Sequence, residues 1–258
     1  MSGAYFKPTQ RKDLWVGTPG MNALSSAMLD SLHVRFESQV RTIERTADRW
    51  AVIEASGDRH AGFDQLLITV PAPQVGPILG QYFPDASDTA ARATMMPCWT
   101  LMVAFKKRID LSFDAAKVTG DGPIGWLARN SSKPGRLDNG MDCWVVQAGH
   151  GWSRDHVERS PQEAADALLS DFTRVCRESS ISIAPLTHLA VHRWRYALAM
   201  PGDTPHFMIH ADTGLAVAGD WLAGGRIEKA WLSGLAAAEA LTLNRLEKKP
   251  TIVGASHK

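Results

Sequence analysis

The residues best able to do chemistry lie in one stretch near the end of the chain. Residues 214–234 read Gly-Leu-Ala-Val-Ala-Gly-Asp-Trp-Leu-Ala-Gly-Gly-Arg-Ile-Glu-Lys-Ala-Trp-Leu-Ser-Gly. An apolar strand ends in Gly219-Asp220, a loop bearing Gly224 and Gly225 follows, and an alanine- and leucine-rich helix opens near Ile227. A turn of this kind sets an acidic side chain and a row of free backbone N–H groups toward one crevice. Asp220 could accept from sugar-like hydroxyls, while the helix start, with about +0.5 charge, could stabilise an anionic ring or carbonyl. Gly224 and Gly225 carry no Cβ and would let a ligand approach the backbone closely. The plain alternative is structural: Asp220 caps the helix and the glycines make a tight turn.

A second group of candidates is aromatic. The chain has nine tryptophans against three tyrosines. Trp126, Trp144 and Trp194 are candidates for flat walls that orient a planar substrate and exclude water, although each one singly also suits core packing. In 192–196, His-Arg-Trp-Arg-Tyr alternates on a strand, and we expect Trp194 and Tyr196 to point into the site and the arginines away. Other chemistries are disfavoured. His188 and His192, four apart on a strand, would sit about 13 Å apart, too far for one metal ion. No GxSxG elbow occurs, so nucleophilic hydrolysis lacks its usual motif.

These residues need elements to position them. Residues 21–32 have apolar spacing suited to a short helix, and 33–37, 40–45 and 50–55 read as strands. Residues 64–70, nearly all apolar at their centre, read as a strand buried on both faces and stopped by Pro71-Ala72-Pro73. Weaker helical signals cover 74–82 and 87–93. Strands at 99–105, 124–129 and 143–148, parted by the polar loops 119–123 and 131–140, suggest an antiparallel meander. Ser160-Pro161-Gln162-Glu163 starts a helix to about Glu178, with Ser160 as cap and Glu163 three residues on. Strands at 187–194 and 215–218 and a helix over 227–246 complete the chain. The class is mixed α/β: an α/β core carrying an antiparallel sheet, with the long helix last.

The 258 residues carry 28 Lys and Arg against 27 Asp and Glu, a net charge of +1, which leaves no footprint for nucleic acid. Cys98, Cys143 and Cys176 are odd in number and widely spaced, so they form neither a disulfide framework nor a CxxC pair. The polar lead 1–11 lacks the apolar core of a signal peptide, and no apolar run reaches the roughly 20 residues needed to cross a bilayer. The expectation is a cytoplasmic protein without a metal, nucleic-acid or membrane partner.

The 214–234 segment resembles the C-terminal flavin-binding motif of the FAD-dependent amine oxidase superfamily, most closely its renalase-like bacterial members. The resemblance extends to Trp15-Val16-Gly17-Thr18-Pro19-Gly20, to the paired strands around Val34 and Val40, to Val70-Pro71-Ala72-Pro73 and to the strand at 192–197. It implies FAD as cofactor, with Gly219, Asp220 and Trp221 beside the ribityl chain. Gly225, Arg226, Ile227, Glu228 and Ala230 would lie at the N1/C2 side of the isoalloxazine, and the Val40 backbone at the adenine. It also implies a partial FAD-binding domain over 1–95, a substrate domain over 96–198, and a strand–loop–helix over 199–258 returning to the FAD domain. The implied activity is hydride transfer from an amine or dihydropyridine-type donor to flavin.

The sequence departs from that family in two places. The GxGxxG strand–helix unit that holds the pyrophosphate occurs nowhere; Gly3 follows no strand. Lys229 replaces a small residue after Arg-Ile-Glu and would either add positive charge near N1 or obstruct the ring. The missing lobe comes from a separately encoded GxGxxG subunit, or was truncated, or was lost as the chain became a non-catalytic binding protein. Alone, the chain is expected to bind FAD weakly or not at all.

Overall fold

The computed structural model describes residues 6–7, 15–119, 121–136 and 139–247. Gly3 and most of the polar lead 1–11 lie outside the described residues, as do Gly120, Leu137 and Asp138 of the two polar loops. In chain order the elements are β1 (Phe6–Lys7), α1 (Ala23–Leu29), β2 (Val40–Thr46), β3 (Arg49–Glu54), β4 (Arg59–Phe63), β5 (Leu66–Ile68), α2 (Ala72–Leu79) and α3 (Pro84–Arg92). They continue with β6 (Met95–Phe105), β7 (Ala115–Val118), β8 (Ile124–Arg129), β9 (Asp142–Ala148), α4 (His150–Asp155), α5 (Pro161–Glu178) and β10 (Leu186–Ala199). The last are β11 (Phe207–His210), β12 (Leu215–Ala218), α6 (Asp220–Ala223) and α7 (Ile227–Glu247). Two compact units result, Met1–Val34 with Met96–Ala197, and Arg35–Met95 with Leu198–Lys258.

The first unit is built on a six-stranded sheet of order β1-β7-β8-β9-β6-β10. Strict alternation in β9 turns Asp142, Trp144, Val146 and Ala148 inward. There they meet α5, whose buried face is Ala164, Ala165, Leu168, Phe172 and Cys176. That helix starts where its sequence signal says: Ser160 Oγ accepts from the Glu163 N–H, and the Glu163 carboxylate accepts from the Ser160 N–H, closing a capping box. Inside the sheet, Arg129, fully buried, is held by Asp142 at 2.9 Å, by Asp114 at 3.0 Å and by the carbonyls of Ile109 and Leu111, both at 3.1 Å. Asp142 also accepts from the Ile109 N–H and the Trp144 Nε1–H, while Arg129 Nε faces Asp114 as an ion pair without a hydrogen bond.

The second unit joins an antiparallel meander, β2-β3-β4, to a three-stranded sheet of order β11-β12-β5. Strand β12 runs antiparallel to β11 and parallel to β5. Leu215 and Val217 on one face of β12 share a core with Val75 and Leu79 of α2, Ile43 of β2 and Trp50 of β3. Trp50 is completely buried, and its indole N–H donates to the Thr213 carbonyl at 2.9 Å. Helix α7 packs on β11 and β12, burying Ser233, Ala237 and Leu241.

Several sequence expectations need correction. Residues 33–37 form no strand, while β4, β7, β11, α4 and α6 carried too weak a pattern to be read. The helix expected over 21–32 is the seven-residue α1, and none of its side chains is buried. Residues 15–34 group with the antiparallel unit rather than with 35–95; Arg136 ties them there by donating to the carbonyls of Gly17 and Pro19. Strand β5, expected to be buried on both faces, is half-buried at all three residues, and among the described residues only one of its edges is paired.

Candidate functional site

Strand β12, buried at every residue, delivers the chain to Gly219. The Gly219 N–H donates to Ser233 Oγ at 2.9 Å, and Ser233 Oγ donates to the His206 carbonyl at 2.5 Å. One buried hydroxyl thus fixes the end of β12 against the second turn of α7. Sequence reasoning passed over Ser233; the available signal was a small polar residue on the inward side of an otherwise apolar helix.

Asp220 opens the four-residue α6, and its backbone carbonyl accepts from the N–H groups of Gly224 at 2.7 Å and Gly225 at 2.9 Å. Its carboxylate caps nothing. The side chain is half-buried, and among the described residues it has neither a hydrogen-bond nor an ion-pair partner. The capping alternative therefore does not describe this residue. In α7 the Ala230 N–H is the first to bond back, to the Arg226 carbonyl at 2.9 Å. The N–H groups of Arg226, Ile227, Glu228 and Lys229 precede that bond and have no partner within the helix. The side chains of Arg226, Ile227 and Glu228 are exposed, and those of Lys229 and Ala230 are half-buried.

Gly219 and Gly225 serve the protein's own packing, whereas a Cβ on Gly224, at φ +101°, would meet nothing within 4 Å. A Cβ on Gly219 would lie 2.8 Å from the indole nitrogen of Trp221. Gly225 has φ +63°, and a Cβ there would lie 2.4 Å from the Ala199 carbonyl oxygen. Trp221 is 2% exposed and donates its indole N–H to the Val70 carbonyl at 3.2 Å, so its side chain belongs to the core and not to an open crevice. Val40 begins β2, half-buried and paired with Glu54. Glu54 in turn contacts His60 Nε2 at 2.7 Å.

The aromatic candidates divide. Trp144 is 1% exposed, with the Arg129 guanidinium 4.6 Å over its ring and Phe113 and Phe172 around it. It is a core residue, a correction to the substrate-facing reading. Trp126 on β8 is half-buried. Trp194 and Tyr196 on β10 are 54% and 36% exposed, on the same side as His192, whose ring lies 4.3 Å from that of Trp194. On the other side, Arg193 donates to the Val157 carbonyl at 2.7 Å, and Arg195 makes a two-pronged ion pair with Glu158 at 2.7 and 2.9 Å. The hydrogen bond from Arg195 holds the Glu158 carboxyl below the usual range, helped by the charges of Arg195 and Arg193.

Among the described residues no group of three or more His, Cys, Asp or Glu is placed to hold a metal ion, and no helix is long and apolar enough to cross a membrane.

Two solved structures show the same fold at low identity. One is a provisional protoporphyrinogen oxidase from Exiguobacterium sp. 255-15, with 17% identity, a TM-score of 0.64, and coverage of 88% of this chain and 51% of that one. The other is cyclohexylamine oxidase from Brevibacterium oxydans IH-35A, with 16% identity, a TM-score of 0.62, and coverage of 89% and 53%. The chain thus spans about half the length of the solved chains it matches. The family model for flavin containing amine oxidoreductases matches residues 6–242. Matched over nearly its whole length, the chain belongs to that family.

Proposed function

We propose that the chain is the substrate domain and C-terminal flavin-binding part of a renalase-like FAD-dependent oxidoreductase acting on an amine or dihydropyridine-type donor. Its dinucleotide-binding lobe is supplied by polypeptide outside the described residues. The observation that carries this reading is Asp220, a half-buried residue whose carboxylate has no partner among the described residues, followed in the chain by a helix start whose first N–H groups have no partner within the helix. No group among the described residues engages this carboxylate, and the hydroxyls of a ligand could donate to it. The residues present therefore fit the flavin end of the cofactor. On this reading Asp220 accepts from the ribityl hydroxyls, the backbone from Arg226 to Ala230 meets the N1/C2 side, and Val40 meets the adenine. FAD, when bound, supplies the two-electron acceptor for a hydride. In the unit that holds Asp220, the helix start stabilises negative charge, with Lys229 adding a cation; in the antiparallel unit, Trp126, Trp194 and Tyr196 are the aromatic candidates for orienting a planar donor.

The test is a visible spectrum after gel filtration with added FAD, on the chain alone and on the chain mixed with the GxGxxG polypeptide encoded nearest its gene. Flavin bands are expected to co-elute with the mixture, and to be lost with Asp220→Ala. Colourless protein in both mixtures overturns the reading. A second reading, a non-catalytic binding protein of the same ancestry, is favoured by α1, which exposes Met21 (55%), Leu24 (52%) and Met28 (45%) nearby and along its length. It predicts partner binding without flavin.

A further inference from the structure

We propose that a small cavity between the end of α3 and the loop that follows β10 is a binding site for a zwitterion, an aliphatic α-amino acid. The inference goes beyond the flavin reading and shares with it only Trp221, which forms part of the cavity wall.

The cavity has a volume of about 190 Å³. That is the room of about six water molecules, and it lies below the roughly 300 to 1,000 Å³ of pockets for drug-sized ligands. All of its lining residues belong to the second unit. Two segments build it, residues 89–94 and residues 200–204. The Met200 N–H donates to the Thr94 carbonyl at 2.9 Å, so the two segments lie side by side.

Each segment brings one charge. Arg92, in the last turn of α3, lines the cavity, as does Asp203 of the loop. A hydroxyl anchors each segment. Thr89, 9% exposed, donates to the Asp85 carbonyl at 2.8 Å and accepts from the Arg92 guanidinium at 3.4 Å. Thr204, next to Asp203, donates to the Leu222 carbonyl at 2.8 Å and so pins the loop to α6. Arg92 and Asp203 nevertheless form no ion pair with each other, and among the described residues the Asp203 carboxylate has no hydrogen-bond or ion-pair partner. Ala93, Met200 and Trp221 add apolar wall to the same cavity.

The charge pattern selects the ligand. A simple anion drawn to Arg92 meets the Asp203 carboxylate in the same small volume, and a simple cation drawn to Asp203 meets the Arg92 guanidinium. Each attraction is then offset by a repulsion. A molecule with a carboxylate and an ammonium on one carbon satisfies both groups at once. Its carboxylate accepts from Arg92, whose guanidinium fork suits that shape, and its ammonium donates to Asp203. An aliphatic side chain then rests on Met200 and Trp221.

Isothermal titration calorimetry of the full chain with L-leucine tests the site against two matched probes. One is 4-methylpentanoate, which lacks the ammonium; the other is 3-methylbutylamine, which lacks the carboxylate. Leucine is expected to bind at least about tenfold more tightly than either. Arg92 and Asp203 are exposed, so Arg92→Gln and Asp203→Asn should leave the melting temperature without ligand unchanged. Each should weaken leucine at least about tenfold, and Asp203→Asn should at the same time tighten 4-methylpentanoate, because the repelling charge is gone. Misfolding does not move two ligands in opposite directions. Saturating leucine should also raise the melting temperature of the parental chain and not that of Arg92→Gln. Equal affinity for the three probes, no leucine binding below about 10 mM, or a leucine affinity unmoved by either substitution overturns the proposal. These readings need no flavin, so a chain that fails to retain FAD overturns the oxidoreductase reading and leaves this site to stand or fall by its own titrations.

Discussion

A carboxylate without a partner is a poor contributor to folding, and Asp220 is expected to behave accordingly. Because nothing among the described residues donates to it, Asp220→Ala should change stability by no more than about 0.5 kcal/mol in a denaturant titration. A ligand role then shows as lost flavin retention at unchanged stability. Gly225 is the opposite case. Gly225→Ala forces a left-handed backbone onto an L-residue and drives a Cβ into the Ala199 carbonyl, so a loss of about 2 kcal/mol or more is expected, read as a lower melting temperature. The motif from Gly219 to Ala230 was legible because it mixes residue types that a plain turn does not need. What it could not reveal is whom each glycine serves. Two glycines in one loop look alike in sequence, and only the position of the Ala199 carbonyl shows that Gly225 answers to the protein's own backbone.

Elements were legible in proportion to the strength of their local chemistry. Helix α5 has a cap, a proline at its first position, a reciprocal glutamate and a clean apolar face, and its bounds follow from the sequence. Strand β9 alternates without a break, and was found. Elements α6 and β11, four residues each, carry too few residues for any period to show. Trp144 was misread for a related reason: alternation says that a side chain points to one face, and not which face is the core. Strand β10 has two working sides, and its arginine side makes a pH prediction. The Glu158 carboxyl is held low in the folded protein, so its ion pairs stabilise above the ordinary carboxylate value of about 4.3 and are lost as pH falls through the lower, folded value. Glu158→Gln is expected to leave stability near pH 7 slightly reduced, and to flatten the acid limb of a melting-temperature profile between about pH 5 and 3. An unchanged acid limb would show that the Arg193 and Arg195 contacts contribute nothing in solution.

At the scale of the whole molecule, the cysteines report on one half only. Cys98, Cys143 and Cys176 all lie in the unit built from residues 96–197, and burial raises each thiol, Cys176 to about 11. At pH 8 the folded chain should therefore react slowly with a maleimide at Cys176, since a buried thiol is both neutral and shielded. Among the described residues the cores of the two units share none, so a lesion in each should act on its own core. Asp142→Asn removes the buried one of the two carboxylates paired with the fully buried Arg129 and leaves only the exposed Asp114, a change of the kind that costs about 3 to 5 kcal/mol when an interior pair is broken, and it should speed Cys176 labelling sharply. Gly225→Ala lies in the other unit; it should lower the ellipticity melt while leaving Cys176 labelling at the parental rate. Reading Cys176 by peptide mapping matters, because Asp142 itself acts on the neighbouring Cys143. If Gly225→Ala accelerates Cys176 as much as Asp142→Asn does, the two units open together, and the separation of their cores has no thermodynamic consequence.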